Sequence, residues 1–286
     1  FIFKNFKLLL FIFYLFHFIT FFVKMDKSML WKFYKSDEVT CHYLFGTIHL
    51  STESAYTFSD LAKKYILEAK VYAAEMDLNE SFSRDMTTFF LLDSPQKFTD
   101  YFRPKQYAKY KSIIYKALDI DLDQFVLHTP FFINNLIAEA SLKKTKNLPL
   151  DHYLWNFASS QDKLMTGVES FEDQLKIMKN IPIDYQIKSF KDTVKNISQF
   201  KKKIGKLNDL YKSADFRQLY KSSKKSMGKI RKLMIYDRNE FMIGKMINIS
   251  ENNPAFFAIG AAHLAGNKGI IALLKKKGYI IKKVEN

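Results

Sequence analysis

Two histidines carry the clearest chemical signal in this 286-residue chain. The segments YLFGTIHL (43–50) and FAIGAAHLAG (257–266) each run an apolar strand into a glycine, Gly46 or Gly260, and place His49 or His263 three residues further on. A glycine there permits a tight turn or a close backbone approach, so the histidine projects at the carboxyl end of a strand, where open α/β sheets bind ligands. A single G-x-x-H is a weak signal. Two copies, 214 residues apart and behind matching aromatic strands, point to a shared site, against the plainer reading of two satisfied loop histidines.

Two carboxylates end other apolar strands in the same way: Glu75 after VYAA, with Asp77 beyond it, and Glu169 after LMTGV. Burying an isolated carboxylate is costly, so each needs a partner or a role. Neutral imidazole and carboxylate together suit Mn²⁺, Co²⁺ or Zn²⁺, and a set of His49, His263 and Glu75 leaves positions open for water and substrate. Such an ion would acidify a water whose proton a second carboxylate could take. The plain alternative makes both glutamates helix caps or salt-bridge partners. Arg238, at the predicted start of the last long helix, brings a planar fork suited to an oxyanion or a substrate carboxylate. His17, His42, His128 and His152 lack a comparable setting and read as core or surface histidines.

The elements that must position these groups alternate. LWKFY and CHYLF read as strands, FSDLAKKYILEAK as a helix and VYAAEMD as a strand. Residues 82–160 read as mostly helical, with Pro104, Pro130 and Pro149 each opening a helix. Strand KLMTGVE and helix SFEDQLKIM follow, then a polar, basic helical segment over 183–232. The end returns to helix RNEFMIGKMINI, strand AFFAIG, helix GIIALLKKK and strand YIIKKV, with Gly278 as a helix stop. The pattern predicts an α/β fold: a mixed sheet built from two related halves, each with a strand–GxxH unit, with a helical insertion between them.

Composition narrows the classes. One cysteine excludes a disulfide framework and a thiolate metal cluster, so any metal must sit on histidine and carboxylate. A formal net charge of +16 fits nucleic acid, an anionic membrane surface or simple solubility. From Lys188 to Lys232, 15 basic residues face three acidic ones. The aromatics there, Phe190, Phe200, Tyr211, Phe216 and Tyr220, suit a buried helix stripe better than a base-stacking platform, which disfavours nucleic acid and leaves an anionic membrane surface as a partner class. Residues 1–27 hold an apolar run, Leu8–Val23, flanked by lysines, which reads as a signal or membrane anchor, or as sequence upstream of a start at Met25. The first reading implies an extracytoplasmic protein and the second a cytoplasmic one. Residues 28–286 then form a single domain.

The motifs YLFGTIHLS, AAEMD, LDHYLWNFASSQDKLMTGVESFEDQL, YDRNEFM and FFAIGAAHLAGNKGIIALLKKKGYIIKKV resemble the TraB/GumN family, related to the Tiki proteins and more broadly similar to erythromycin esterase-like hydrolases. The resemblance runs from about Leu30 to Val284, and the terminal G-x-x-H-L-x-G is its most specific piece; GAAH stands where GAGH is common. It implies two related α/β halves, a site built from His49, His263 and Glu75 with Glu169 and Arg238 beside it, and, for the Tiki branch, divalent-metal-dependent hydrolysis of a peptide. It also admits a non-catalytic peptide-binding role of the pheromone-shutdown type.

Overall fold

A computed structural model describes residues 28–36, 40–79 and 86–285. The apolar run Leu8–Val23 lies outside the described residues. Among the described residues no helix is long and apolar enough to cross a membrane.

Six strands form one mixed sheet: β1 (Leu30–Tyr34), β2 (His42–Thr47), β3 (Val71–Met76), β4 (Leu164–Glu169), β5 (Ala255–Gly260) and β6 (Ile280–Lys283), in the order β4-β3-β5-β2-β1-β6. The four strands β4, β3, β5 and β2 run parallel, and β1 and β6 complete one side antiparallel. Strands β2, β3 and β5 are buried on both faces, which is why they read as continuous apolar runs rather than alternating ones. Their two faces feed different cores. Tyr43, Phe45, Tyr72, Ala74 and Phe256 face helices α1 (Ser59–Glu68), α4 (Leu150–Ser159) and α7 (Ile197–Lys212). Leu44, Ala73, Phe257 and Ile259 face α9 (Asp237–Ser250) and α10 (Ile270–Lys276).

The predicted helical middle is present. Pro104 and Pro130 sit at the first position of α2 (Pro104–Leu118) and α3 (Pro130–Ala140), where a missing N–H costs nothing. With α6 (Ile183–Lys195) they build a separate core around Phe98, Phe102, Ile133 and Phe190. Helix α5 (Phe171–Lys179) follows β4, and α8 (Phe216–Met227) follows α7. The basic segment is therefore helical, as its pattern predicts. The turn Lys232–Tyr236 is π-helical and runs directly into α9, so Arg238 lies within a continuous helix rather than at a free helix start.

Candidate functional site

Parallel strands present their carboxyl ends along one edge, and here that edge carries Glu169, Glu75, His263 and His49. The predicted set of His49, His263 and Glu75 does not close within 4.8 Å: His263 lies beside Glu75, whereas His49 is grouped with Asp151 and His152. Across the sheet the order is Glu169 at the end of β4, Glu75 near the end of β3, then the turn after β5 carrying His263, then the turn after β2 carrying His49. His263 thus follows the strand that separates those leading to Glu75 and His49.

The two G-x-x-H glycines have different neighbours. At Gly260 a Cβ would lie 2.9 Å from Oε2 of Glu75, and the Gly260 N–H donates to that oxygen at 3.0 Å. At Gly46 a Cβ would meet Met29, Leu264 and Ala261, the last two from the second turn, so the two turns pack on each other there. Gly260→Ala is expected to destabilise by about 1–3 kcal/mol, because the carboxylate is held from its other side and cannot swing clear. Gly46→Ala should cost less, since the nearest atom is the flexible end of Met29 at 3.1 Å. Denaturant midpoints of the two variants test the order.

His263 is buried, and its tautomer follows from its neighbours. Asn239 Nδ2 donates to the backbone oxygens of His263 (3.0 Å) and Lys268 (2.7 Å), which turns the amide oxygen towards the ring. Nδ1–H of His263 therefore donates to Asn239 Oδ1 at 2.6 Å, and the Nε2 lone pair faces Glu75 Oε1 at 3.8 Å. Burial pushes the imidazole pKa down to about 4, with Glu75 raising it and Arg238 lowering it, so the ring is neutral at pH 7.

Glu75 and Glu169 share one cation. Arg238, itself 8% exposed, donates from Nη2 to Glu75 Oε1 at 2.5 Å, from Nη2 to Glu169 Oε2 at 2.5 Å and from Nε to Glu169 Oε1 at 3.0 Å. Its Nη1 donates to the Met234 carbonyl at 3.2 Å. The fork expected to serve an oxyanion or a substrate carboxylate is thus taken up by the protein's own carboxylates. Burial would raise the Glu75 pKa, but Arg238, His263 and the Gly260 N–H together lower it to about 2. At Glu169 burial wins over Arg238 and the pKa is raised. Gln174 of α5 donates to Glu169 Oε2 at 3.2 Å and completes the set.

His49 has a different partner. Its Nδ1 lies 2.8 Å from Asp151 Oδ2, on the first turn of α4, and its ring meets that of His152 edge-on at 5.4 Å between centroids. The carboxylate only accepts, so Nδ1–H donates and Nε2 is left outward. Surrounding protein lowers the His49 pKa, but Asp151 outweighs that with smaller help from Glu139 and Glu75, and the pKa is raised. Beside His49 opens a cleft of roughly 300 Å³, open solvent included, with Leu142 and Pro149 on its walls and Glu139 and Lys144 at its polar side.

Both G-x-x-H histidines therefore hold Nδ1 against an oxygen, the arrangement in which a second partner fixes a metal-ligating imidazole; the ring of His49 is exposed, whereas that of His263 is buried with Nε2 facing Glu75. Ligand atoms of His49, Asp151 and His152 lie within 4.8 Å of one another, the one such trio among the described residues. The donor chemistry, imidazole nitrogen and carboxylate oxygen, fits a divalent transition ion. Asp151, Asn239 and His152 were not singled out by spacing or residue type, and His152, read as a bland histidine, is a neighbour of His49. His42 and His128 match that reading: His42 is buried on β2 and His128 stacks on Phe132.

Comparison with known proteins places this edge in context. Residues 29–283 match the TraB/PrgY/gumN family. The chain belongs to that family. Among curated relatives, a Metalloprotease TIKI homolog of Nematostella vectensis is 24% identical over 212 residues, covering 62% of this chain and 44% of the relative. Metalloprotease TIKI1 of Danio rerio is 25% identical over an alignment covering 83% of this chain and 60% of that protein. The chain spans about half the length of these relatives. No solved structure matches.

Proposed function

We propose that this member of the TraB/PrgY/gumN family is a divalent-metal-dependent hydrolase of peptide or related amide bonds, with its site on the carboxyl edge of the parallel strands. The observation that carries the reading is the matched pair of histidines, each with Nδ1–H anchored on a side-chain oxygen so that the ring lone pair is on Nε2. The names of the TIKI relatives support the reaction class.

His49, His263 and Glu75 are the ligands or water-activating groups in this reading. Asp151 and His152 offer a second seat for the ion that shares His49. A divalent ion held here supplies Lewis acidity, polarising a carbonyl and acidifying water. The chain's own groups do the rest. With the ion seated at His49, Asp151 and His152, neutral His263 would keep its Nε2 lone pair to accept a proton, and Glu75, kept ionised beside it, would stabilise the imidazolium that results. Asn239 holds that ring in one tautomer, and Arg238 prevents the paired carboxylates from repelling each other. The cleft beside His49 gives a peptide a place to lie.

The test combines occupancy with turnover. Purified protein loaded with Mn²⁺, Co²⁺ or Zn²⁺ is expected to cleave members of an unbiased peptide library. His49→Ala should lose bound metal by elemental analysis. His263→Ala losing metal assigns the seat to His263 and Glu75, whereas loss only in His152→Ala assigns it to the Asp151 side. Glu75→Gln separates a ligand, which loses metal, from a group that handles protons, which keeps metal and loses activity. Asp151→Asn is expected to weaken metal binding by about 10–100-fold through loss of the His49 anchor. Metal bound without any cleavage overturns the hydrolase reading and leaves a peptide-binding protein.

A further inference from the structure

The basic segment sits directly behind the site. Helix α7 sends Tyr211 inward, where its hydroxyl donates to the Gly46 carbonyl at 2.7 Å. Helix α8 packs on the turn Ala261–His263, with the Tyr220 ring close enough to Gly266 that only a glycine fits there. The inner side of this hairpin therefore braces both G-x-x-H turns.

The outer face of α8 is a field of one sign. From Phe216 to Lys232 there are seven cations and no acid. Arg217, Lys221, Lys224 and Lys225 recur at helical spacing along one face of α8, Lys229 continues the line, and all five are exposed. Among the described residues none of the five is ion-paired, whereas Lys232 just beyond is held by Asp237 at 2.9 Å. Leu219 is buried and Phe216, Tyr220 and Met227 are half-buried on the opposite face, so the helix has no apolar side left to insert elsewhere.

From this we infer that the exposed face of α8 docks the protein, by charge alone, on an anionic lipid surface. Four of the five cations are lysines, compact point charges that respond to a diffuse negative potential, whereas nucleic-acid phosphates are more often gripped by arginine forks. Single-stranded nucleic acid is bound by stacking its bases on aromatic faces, and the aromatics of α8 point inward. A bilayer surface requires neither. Because the inner side of the same hairpin braces the two histidine turns, docking would hold those turns one helix layer from the membrane. This does not depend on the reaction proposed above.

The experiment is vesicle co-sedimentation of the full chain at about 0.1 M salt. Vesicles of phosphatidylserine and phosphatidylcholine are compared with phosphatidylcholine alone, which separates charge from any contribution of the apolar run Leu8–Val23. The wild type is expected to favour the anionic vesicles at least ~10-fold, and that preference should vanish in 1 M salt. The variant Arg217→Gln, Lys221→Gln, Lys224→Gln, Lys225→Gln should lose the anionic preference, weakening by about tenfold or more to the level of phosphatidylcholine alone, with its thermal midpoint unchanged. Lys105→Gln, Lys109→Gln, Lys116→Gln on α2 should retain it. Equal loss in the α2 variant, no loss in the α8 variant, or displacement from anionic vesicles by a single-stranded oligonucleotide bound more tightly would each overturn the inference.

Discussion

Arg238→Met is expected to lose about 3–5 kcal/mol of stability at pH 7 in chelator-treated protein. The guanidinium is the shared partner of Glu75 and Glu169, whose side chains are 27% and 1% exposed. Removing it leaves two carboxylates side by side with little solvent, and at least one must take up a proton or the helix must move away. The loss comes from stranding those charges, not from the worth of the ion pair itself, which is offset by desolvation of all three groups. Adding Glu75→Gln and Glu169→Gln to Arg238→Met should therefore recover most of the stability. Denaturant unfolding of the four proteins measures the coupling. A single-variant loss below about 1 kcal/mol would show that the network is not holding buried charge.

Acidification is the second large effect, and its sign follows from His263. The native imidazole has a pKa near 4, below the ordinary value of 6.5, because burial disfavours its cation. Between those values the unfolded chain binds a proton that the native chain does not, so stability falls as the pH drops through that window. The shift corresponds to about 3 kcal/mol, fully lost below pH 4. Glu75, depressed to about 2, acts in the same direction at lower pH: its contribution is present above pH 4.5 and is lost as the pH falls towards 2. Glu169 has a raised pKa and works the other way, gaining native protons as the pH falls. The net slope is thus a sum, and the contribution of His263 is isolated by difference. Stability measured from pH 7 to pH 4 should fall more steeply in the wild type than in His263→Gln by about one proton's worth. Parallel curves would place the ring in a solvated setting and contradict its burial.

How far the site was legible depends on which contacts are local. Gly46, Gly260 and the strands before them form a pattern of adjacent residues, so the two histidines could be placed at strand ends from the chain alone. Glu75 and Glu169 were legible for the same reason, as charges closing apolar runs, although the strand of Glu169 is an edge strand that is only partly buried. What packs against that edge was not. Asp151 follows Pro149 in the first helical turn, where an acidic residue is expected simply to complement the helix dipole. Nothing in its spacing announces that α4 delivers it to His49. Asn239 stands next to Arg238, but only the docking of α9 against the second turn makes one of them a ring anchor and the other a carboxylate partner. Arg238 was assigned a role facing substrate because a fork without a visible partner invites one; its partners lie 69 and 163 residues away along the chain.

The position of β5 has a consequence for when the protein becomes competent. It lies between β3 and β2, which do not touch each other, yet it is the fifth of six strands to be synthesised. Until residues 255–260 emerge, the two strand edges that flank the gap have no partner, and the histidine of the first turn has neither its counterpart nor the close-packed second turn that braces it. A growing chain on the ribosome would therefore carry all the acidic groups of the edge and one histidine without the assembled centre. The same holds for a chain clipped before its last strands. Insertion of a late central strand thus acts as a built-in quality check, in which the edge that carries both histidines exists only in molecules whose two distant segments have already found each other.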